Sequence, residues 1–324
     1  MTENDIEAAA PRPLWRHPVS EVKARRALLR RIADLDPQAD AHELTKLVVG
    51  HVFSDAFFVD TLFTVAYWRQ IAVRTIAPIL HQNGRGKTYE TGKRVDDTLL
   101  FFGFIYRDGW QGDAAGQTID RLAAIHERFA IPADDFRYTT ASLCFEAVRI
   151  PEILRSPGLT DGEAHALFLF WRDVARRWGI EVPEERSEFR TWMERYEAAT
   201  YERTEHGPAM AQTMADDYCR RFFPGPLRTL GLLVLRCCSD GPLLDAVAQP
   251  HPPALARTLV GRLVHAYIAA RRVLPASAGP QLLRPWNREY GPSLDPMTVG
   301  PEWARKLTPE SRRHATVGTP PRTT

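Results

Sequence analysis

The sequence of 324 residues is poor in several features that would assign it to other protein classes. Cysteine occurs only four times, at spacings that match neither a zinc site nor a c-type haem attachment. We therefore expect small buried thiols in a reducing compartment. The net charge is only +2, so charge does not indicate nucleic acid or an anionic membrane as a partner.

Long hydrophobic runs are also missing. The most apolar run, Leu227–Cys238, is too short to span a bilayer and contains Arg228 and Arg236. The first residues do not show the charged-then-apolar pattern of an export signal. These features predict a soluble cytoplasmic protein without a transmembrane segment.

The signatures of several large enzyme families are absent from the sequence. We find no phosphate-binding loop, no glycine-rich dinucleotide fingerprint, no Gly-x-Ser-x-Gly elbow and no His-Glu-x-x-His pair. The cysteine-ligand loop of cytochromes P450 is missing too. Alternating strand patterns with hairpin turns do not occur, which leaves an all-α fold.

Helical periodicity runs through most of the chain and predicts one large domain. Residues 1–18 are predicted to form an N-terminal arm, 19–275 the helical domain, and 276–324 a tail rich in Pro, Gly and Arg. Residues 54–81 read as one long helix or two abutting helices, ended or kinked by Pro78. Asp36 or Asp40 is a candidate N-cap, and Thr160 with Glu163 predicts a capping box. The other predicted helices are 19–35, 40–52, 88–107, 113–129, 132–150, 161–178, 184–201, 208–222, 227–238 and 254–272.

Polar residues on apolar helix faces single out the stretch Gly92–Ile131. In its first helix Arg94, Thr98, Phe101 and Ile105 recur at helical spacing, and in its second helix Ile119, Leu122, His126 and Phe129 do so. Polar groups placed in a core cost free energy unless something pairs with them. The stretch is therefore the first candidate for a functional site.

His126 has two interpretations. A neutral imidazole in apolar surroundings is a good ligand for haem iron. The alternative is a core histidine that hydrogen-bonds a backbone carbonyl, and the spacing alone favours this alternative.

For Arg94 and Thr98, too, the sequence alone leaves two interpretations open. A buried Arg94 needs an anion, which a haem propionate, Asp97 or Glu146 would provide. Thr98 either hydrogen-bonds a bound ligand or only the carbonyl four residues back.

A third polar face follows on the next helix. Tyr138, Ser142, Glu146 and Arg149 share it, and the spacing favours a Glu146–Arg149 ion pair over a role around the site.

A series of ordered motifs resembles the MpaB-type oxygenases, which share a catalytic domain with the latex-clearing proteins (rubber oxygenases). The resemblance spans roughly residues 40 to 275. It is carried by VFSDAFFVDTLF, YWRQIAVRTIAPIL, KRVDDT, RLAAIHERFAI, DDFRYTTASLCFEAVRIPEIL, LTDGEAHALFLFWRDVARRWGIEVP and ERYEAATYERTE.

The resemblance implies a globin-like helical core with added helices and a non-covalent haem b. The family's proximal histidine falls on His126, and its Arg and Thr beside the haem fall on Arg94 and Thr98. Family members cleave carbon–carbon double bonds of isoprenoid chains with dioxygen, giving carbonyl products. This chain departs from the pattern at Asp97, where latex-clearing proteins have a lysine, and at Gln70, where a threonine is common. Rubber is therefore not implied as the substrate.

We accordingly expect a haem b oxygenase that uses dioxygen on a small apolar, alkene-bearing molecule. His126 is the predicted iron ligand, and Arg94 and Thr98 are the predicted catalytic residues, which contact the cofactor together with Lys93. The predicted surroundings of the site are Asp97, Tyr138, Glu146 and Arg149, with an apolar pocket formed by Phe101, Phe102 and Phe145. The alternatives are a haem- or apolar-ligand-binding protein without turnover and a haem-free helical protein.

Overall fold

The computed structural model describes residues 18–53, 55–84, 91–111, 113–273 and 295–301. Within these ranges the chain forms thirteen α-helices and no sheet, and a single isolated bridge joins Val73 to Tyr201. The prediction of an all-α, single-domain fold is confirmed. In chain order the helices are α1 (Pro18–Asp34), α2 (Ala41–Leu47), α3 (Ala56–Ala72), α4 (Ile76–Gly84), α5 (Thr91–Asp108), α6 (Asp113–His126), α7 (Ala133–Leu154), α8 (Asp161–Trp178), α9 (Arg186–Thr200), α10 (Gly207–Phe222), α11 (Arg228–Cys237), α12 (Gly241–Ala246) and α13 (Ala254–Val273).

One hydrophobic core joins these helices, and α3 and α7 run through it. Helix α7 packs against both α3 and α8, while α3 also packs against α10 and α5 packs against α6. Trp68 of α3 is fully buried, and its indole N–H donates to the carbonyl of Ala211 at 2.9 Å. A helix that is buried on most sides, as α3 is, needs such internal partners for its polar groups.

The predicted capping box at the start of α8 is confirmed. The Thr160 hydroxyl accepts from the backbone N–H of Glu163 at 3.2 Å, and the Glu163 carboxylate accepts from the backbone N–H of Thr160 at 2.8 Å. At α2 the prediction holds only in part. Asp40 precedes the helix, but its carboxylate accepts from the backbone N–H of Asp36 at 3.0 Å and so closes the preceding turn.

The segment 54–81 forms two helices, and Pro78 neither ends nor kinks the first one. Helix α3 stops at Ala72 because the next residues bond to the end of α9: the backbone N–H of Glu202 donates to Ala72 and that of Arg74 to Thr200. Pro78 lies in the first turn of α4, where a missing N–H costs no helical hydrogen bond.

The predicted end of α7 at Ile150 is wrong, because the helix continues through Pro151 to Leu154. Proline inside a helix forfeits one backbone hydrogen bond. Pro151 and Leu154 are both buried, so packing offsets this cost, and Arg155 ends the helix in the left-handed conformation. Helix α6 is shorter than predicted. It ends at His126 in a turn closed by the N–H of Phe129.

Residues 295–301 pack against α5 and α6. Val299 is buried and its carbonyl accepts from the Arg121 guanidinium at 3.1 Å. The predicted N-terminal arm and most of the predicted tail lie outside the described residues. Among the described helices none alone is long and apolar enough to cross a membrane; the pair 41–52 and 56–72 meets that test jointly but is bent by 114°.

Candidate active site

A cavity of about 1120 Å³ lies inside the domain, with walls drawn from α3 to α8. It is slightly larger than the range of about 300–1,000 Å³ that is typical of small-molecule sites. The two helix faces on which the sequence places polar residues among apolar ones, those of α5 and α6, both line this cavity. From α5 it is lined by Arg94, Thr98, Phe101 and Ile105, and from α6 and the turn after it by Leu122, His126 and Phe129.

His126 is the last residue of α6, and its ring is held from three sides. Its Nδ1 lies 2.7 Å from the Leu122 carbonyl, which can only accept, so Nδ1 carries the proton. The ring packs edge-on against Phe136 and Trp178, with centroids 5.7 and 5.4 Å away. The unprotonated Nε2 makes no hydrogen bond within the described residues, and this is the arrangement found in metal-ligating histidines.

Burial lowers the pKa of His126 from its ordinary 6.5; the Leu122 carbonyl opposes this shift and the nearby Arg94 charge adds to it. The ring is therefore neutral at neutral pH. Neutral imidazole is the form that binds metals.

Acidification should consequently destabilise the ligand-free protein in part through His126. The folded state resists protonation of this ring, so its pKa is lower in the folded than in the unfolded protein. The contribution of His126 to the free energy of unfolding is therefore complete above the unfolded-state pKa of about 6.5, and it is lost as the pH falls through the folded-state pKa. We expect His126→Gln to flatten the corresponding part of the stability curve, measured by urea unfolding from about pH 7.5 to about pH 5. The exposed His265→Gln serves as the control, and a curve for His126→Gln that overlays the wild type would contradict the assignment.

Arg94 lines the cavity and stacks on the Tyr67 ring, with its guanidinium carbon 5.5 Å from the ring centroid. Neither of the carboxylates considered from the sequence pairs with it: Asp97 bonds Lys93 at 3.2 Å and Glu146 bonds Arg69 at 2.7 Å. Among the described residues Arg94 has no ion pair at all. Its charge is thus available to an anion in the cavity.

The remaining predicted residues of α5 are distributed around the cavity. The Thr98 hydroxyl donates to the Arg94 carbonyl at 2.8 Å, so it has no proton to donate but its oxygen can still accept. Asp97 is buried and lines the cavity, whereas Lys93 pairs with it from outside the cavity wall.

Glu146 lines the cavity, but the predicted Glu146–Arg149 ion pair does not form. Glu146 instead forms an ion pair with Arg69, a fully buried residue of α3. Arg149 instead forms a bidentate ion pair with Glu197 of α9: its Nη1 and Nη2 donate to the two carboxylate oxygens at 2.6 and 2.9 Å. Two planar N–H groups facing two carboxylate oxygens form a stronger pair than the single contact of neighbours on one helix.

Tyr138 and Arg149 lie behind the cavity wall in a buried network. The Tyr138 hydroxyl donates to Glu197 at 2.8 Å and lies 2.7 Å from the Tyr201 hydroxyl. Arg69 joins this network to the cavity, since its guanidinium contacts Asp240 at 2.9 Å as well as Glu146. Tyr138, Arg149 and Arg69 support the wall of the cavity and do not line it.

Of the three predicted pocket phenylalanines, two line the cavity. Phe101 and Phe102 do so, whereas Phe145 packs away from it against Phe168 and Phe189. Consecutive positions on a helix point about 100° apart, so Glu146 of α7 reaches the cavity and its neighbour Phe145 does not.

A model of the family described as "ER-bound oxygenase mpaB/B'/Rubber oxygenase, catalytic domain" matches residues 50–291. The match covers most of the 324-residue chain and includes every helix that lines the cavity from α3 to α8. The chain belongs to the mpaB/rubber oxygenase catalytic-domain family. It is therefore an oxygenase domain, and oxidoreductase chemistry follows from that. No curated protein matches the sequence significantly.

The mpaB/rubber oxygenase match extends beyond the predicted domain end at residue 275. In the structure, residues 295–301 contribute Pro301 to the cavity wall, and Gly300 lies beside Ile125 and Phe101. Part of the predicted tail thus packs onto the catalytic domain.

Sequence reasoning missed several residues of the oxygenase cavity. Asp135 is one of two carboxylates in the first turn of α7, a common position for acidic residues, so its position does not single it out. Phe136 and Trp178, which contact His126, lie within two of the motifs that resemble the family, but their spacing does not single them out. The one available signal was the polar spacing Asp135, Thr139, Ser142, which continues the Ser142–Glu146 face toward the start of α7.

Proposed function

We propose that this oxygenase domain binds haem b and uses dioxygen on a small apolar molecule that carries a carbon–carbon double bond. The observation that carries the proposal is His126, a neutral imidazole that lines a large, mostly apolar cavity and whose Nε2 makes no hydrogen bond among the described residues. Cleavage of an alkene by one dioxygen into two carbonyl groups balances without an added reductant. A related oxygenation of the same substrate class is the broader form of the proposal.

The donor set fits haem better than a bare metal ion. Within the described residues no three His, Cys, Asp or Glu side chains gather as a metal site. Haem iron needs only an axial ligand from the protein, since the porphyrin supplies four nitrogens. His126 would hold the iron, and Arg94 would balance the charge of a propionate. When bound, the haem supplies the activation of dioxygen.

The protein's own residues then bind the substrate, orient it and exclude water from the cavity. Apolar side chains, among them Phe101, Phe102 and Leu122, hold an alkene chain by burial of its surface. Thr98 offers a hydrogen-bond acceptor in the cavity because its proton is held by the Arg94 carbonyl. Trp178 and Phe136 keep the imidazole of His126 in place.

The visible absorption spectrum of the purified protein, with pyridine haemochrome quantification, tests the cofactor. A Soret band with about one haem b per chain supports the proposal. A colourless protein that also fails to take up added hemin rejects it. Oxygen consumption with a panel of isoprenoid alkenes then tests turnover.

Arg94→Ala should lower activity far more than it lowers stability. Arg94 is only partly buried, lacks an ion pair among the described residues and gains about 0.5–1 kcal/mol from stacking on Tyr67. We expect a loss of at least about tenfold in oxygen consumption, with a shift of about 1 kcal/mol or less in unfolding free energy.

The control for this substitution is Arg107→Ala on the same helix, whose exposed guanidinium pairs with Asp108. Arg107→Ala should leave both oxygen consumption and the free energy of unfolding close to the wild-type values. Equal fractional losses of activity and stability in Arg94→Ala would make Arg94 a structural residue.

A second candidate function is haem or apolar-ligand binding without turnover. It is favoured by Asp97, an acidic residue where latex-clearing proteins have a lysine, which is buried beside the cavity and committed to Lys93. A haem-loaded protein that consumes no oxygen with any alkene of the panel would support this candidate.

A further inference from the structure

Three buried carboxylates line the cavity within the described residues: Asp97, Asp135 and Glu146. They differ in what balances their charge. Asp97 is paired with Lys93 and Glu146 with Arg69. Asp135 is only 2% exposed and has no cationic side chain within ion-pair distance among the residues described.

The two oxygens of Asp135 are used unequally. Its Oδ1 accepts hydrogen bonds from the hydroxyls of Thr75, at 2.9 Å, and Tyr196. Its Oδ2 has no hydrogen-bond partner among the described residues. A buried acceptor without a donor is costly, and persists where a ligand or water completes it.

Glu146 also has one unpartnered oxygen, Oε1, but the protein holds a donor for it. The Nη2 of Arg69 is unpartnered too, and Nε of the same guanidinium already donates to the other oxygen of Glu146. The guanidinium fork accommodates both oxygens after a small rotation. Nothing comparable among the described residues stands beside Asp135.

Asp135 lies at one end of a row of polar residues in the mostly apolar cavity. Along this row the Thr139 hydroxyl donates to the side-chain Oε1 of Gln70 at 3.0 Å, and the side-chain Nε2 of Gln70 donates to the Ser142 hydroxyl at 2.9 Å. These groups satisfy one another. The apolar lining nearby includes Ile76, Leu80, Phe136 and Ile180.

We propose that Asp135 receives the hydrogen-bond-donating head group, a hydroxyl or an ammonium, of a ligand whose apolar chain fills the cavity. The inference rests on the proposed function in one respect: this ligand is taken to be the oxygenase substrate. Oδ2 has almost no accessible surface, so the carboxylate turns about its soft terminal torsion to meet the donor.

Charge separation within the cavity adds selectivity. Both Arg94 and Asp135 line the cavity, and neither forms an ion pair, with the other or with any other described residue. An anionic group is therefore attracted to Arg94 and repelled by Asp135. A carboxylate head group is accordingly excluded from the Asp135 end.

The test uses four probes that share a long unsaturated chain and differ only at one end: oleyl alcohol, oleylamine, oleic acid and cis-9-octadecene. Their binding to the purified protein is measured by displacement of a fluorescent apolar dye, below the concentration at which each probe aggregates. The alcohol or the amine should bind about tenfold tighter than the hydrocarbon. Oleic acid should gain nothing from Asp135, since only Arg94 attracts its carboxylate, and the better of the two donor probes identifies the head group.

The matched variants are Asp135→Asn and Asp134→Asn, on adjacent positions of α7. Asp134 is exposed and pairs with Arg137, so its replacement should leave the order of affinities unchanged. Asparagine still accepts from Thr75 and Tyr196 but removes the negative charge, which roughly halves the strength of a hydrogen bond to the ligand. In Asp135→Asn the advantage of the donor probes should fall below about threefold, and oleic acid should gain affinity.

Equal affinities for all four probes in the wild type would overturn the inference, as would an unchanged order in Asp135→Asn. If that variant does not fold, as judged by circular dichroism, the order in the wild type decides alone. The Soret absorbance of the same samples separates the two proposals. Head-group selectivity without haem rejects the haem proposal only, and haem without selectivity rejects the role of Asp135 only.

Discussion

His126→Ala is expected to be purified without haem, with the Soret band lost and no uptake of added hemin. The imidazole Nε2 is the only nitrogen that His126 leaves open, because Nδ1 donates to the Leu122 carbonyl. Under the proposed function, alanine would remove the imidazole that holds the iron and would leave the porphyrin only apolar contacts and Arg94. The measurement is haem content per chain by pyridine haemochrome.

Two further variants separate loss of a ligand from loss of structure. The exposed His265→Ala on α13 should keep wild-type haem content. His126→Gly should regain its Soret band when imidazole is supplied in solution, since the free ring occupies the space the side chain has vacated. A merely structural histidine would not give this rescue.

Retention of haem at wild-type occupancy in His126→Ala would remove the residue from the site. The variant should also remain folded, because the ring packing of His126 on Phe136 and Trp178 is a small part of a large hydrophobic core.

Arg69→Ala is expected to give the largest loss of stability of any single substitution considered, about 3–5 kcal/mol. Arg69 is fully buried and contacts the carboxylates of Glu146 and Asp240, at 2.7 and 2.9 Å. Burial disfavours its charge, but these carboxylates outweigh that effect and raise the pKa of Arg69 well above its ordinary value. Without the guanidinium, Arg149 alone remains to pair with Glu197 and Asp240. Glu146 then has no cationic partner among the described residues.

Urea unfolding of Arg69→Ala at neutral pH measures this loss, with Arg74→Ala, an exposed neighbour beyond the end of α3, as the control. Combining Arg69→Met with Glu146→Gln should recover part of the stability, because it removes a buried charge together with its partner. A loss below about 1 kcal/mol for Arg69→Ala would show that the network contributes little.

Local periodicity was sufficient to predict most helices, since each has an apolar face that repeats with the helical period. The prediction failed at positions where distant parts of the chain intervene. Val73 leaves the helix because it pairs with Tyr201, which lies far away in sequence. Pro151 stays in a helix because its surroundings bury it.

The same division applies to the cavity. The spacing on α5 and α6 placed Arg94, Thr98 and His126 on apolar faces, and all three line the cavity as a result. The spacing on α7 placed Glu146 and Arg149 on one face and suggested that they pair. They do not pair, because each lies closer to an oppositely charged residue on another helix. Glu146 pairs with Arg69, and Arg149 pairs with Glu197.

By itself, then, the sequence determined the all-α class, the family, and which polar side chains lie on buried helix faces. These depend on residue identity and on a period of about 3.6 residues, both of which are local. Only the tertiary structure decided which charges are neutralised, that Nε2 of His126 remains open, and that Asp135 keeps an oxygen without a donor. Those outcomes depend on distances of a few ångströms between residues far apart in the chain, which periodicity does not encode.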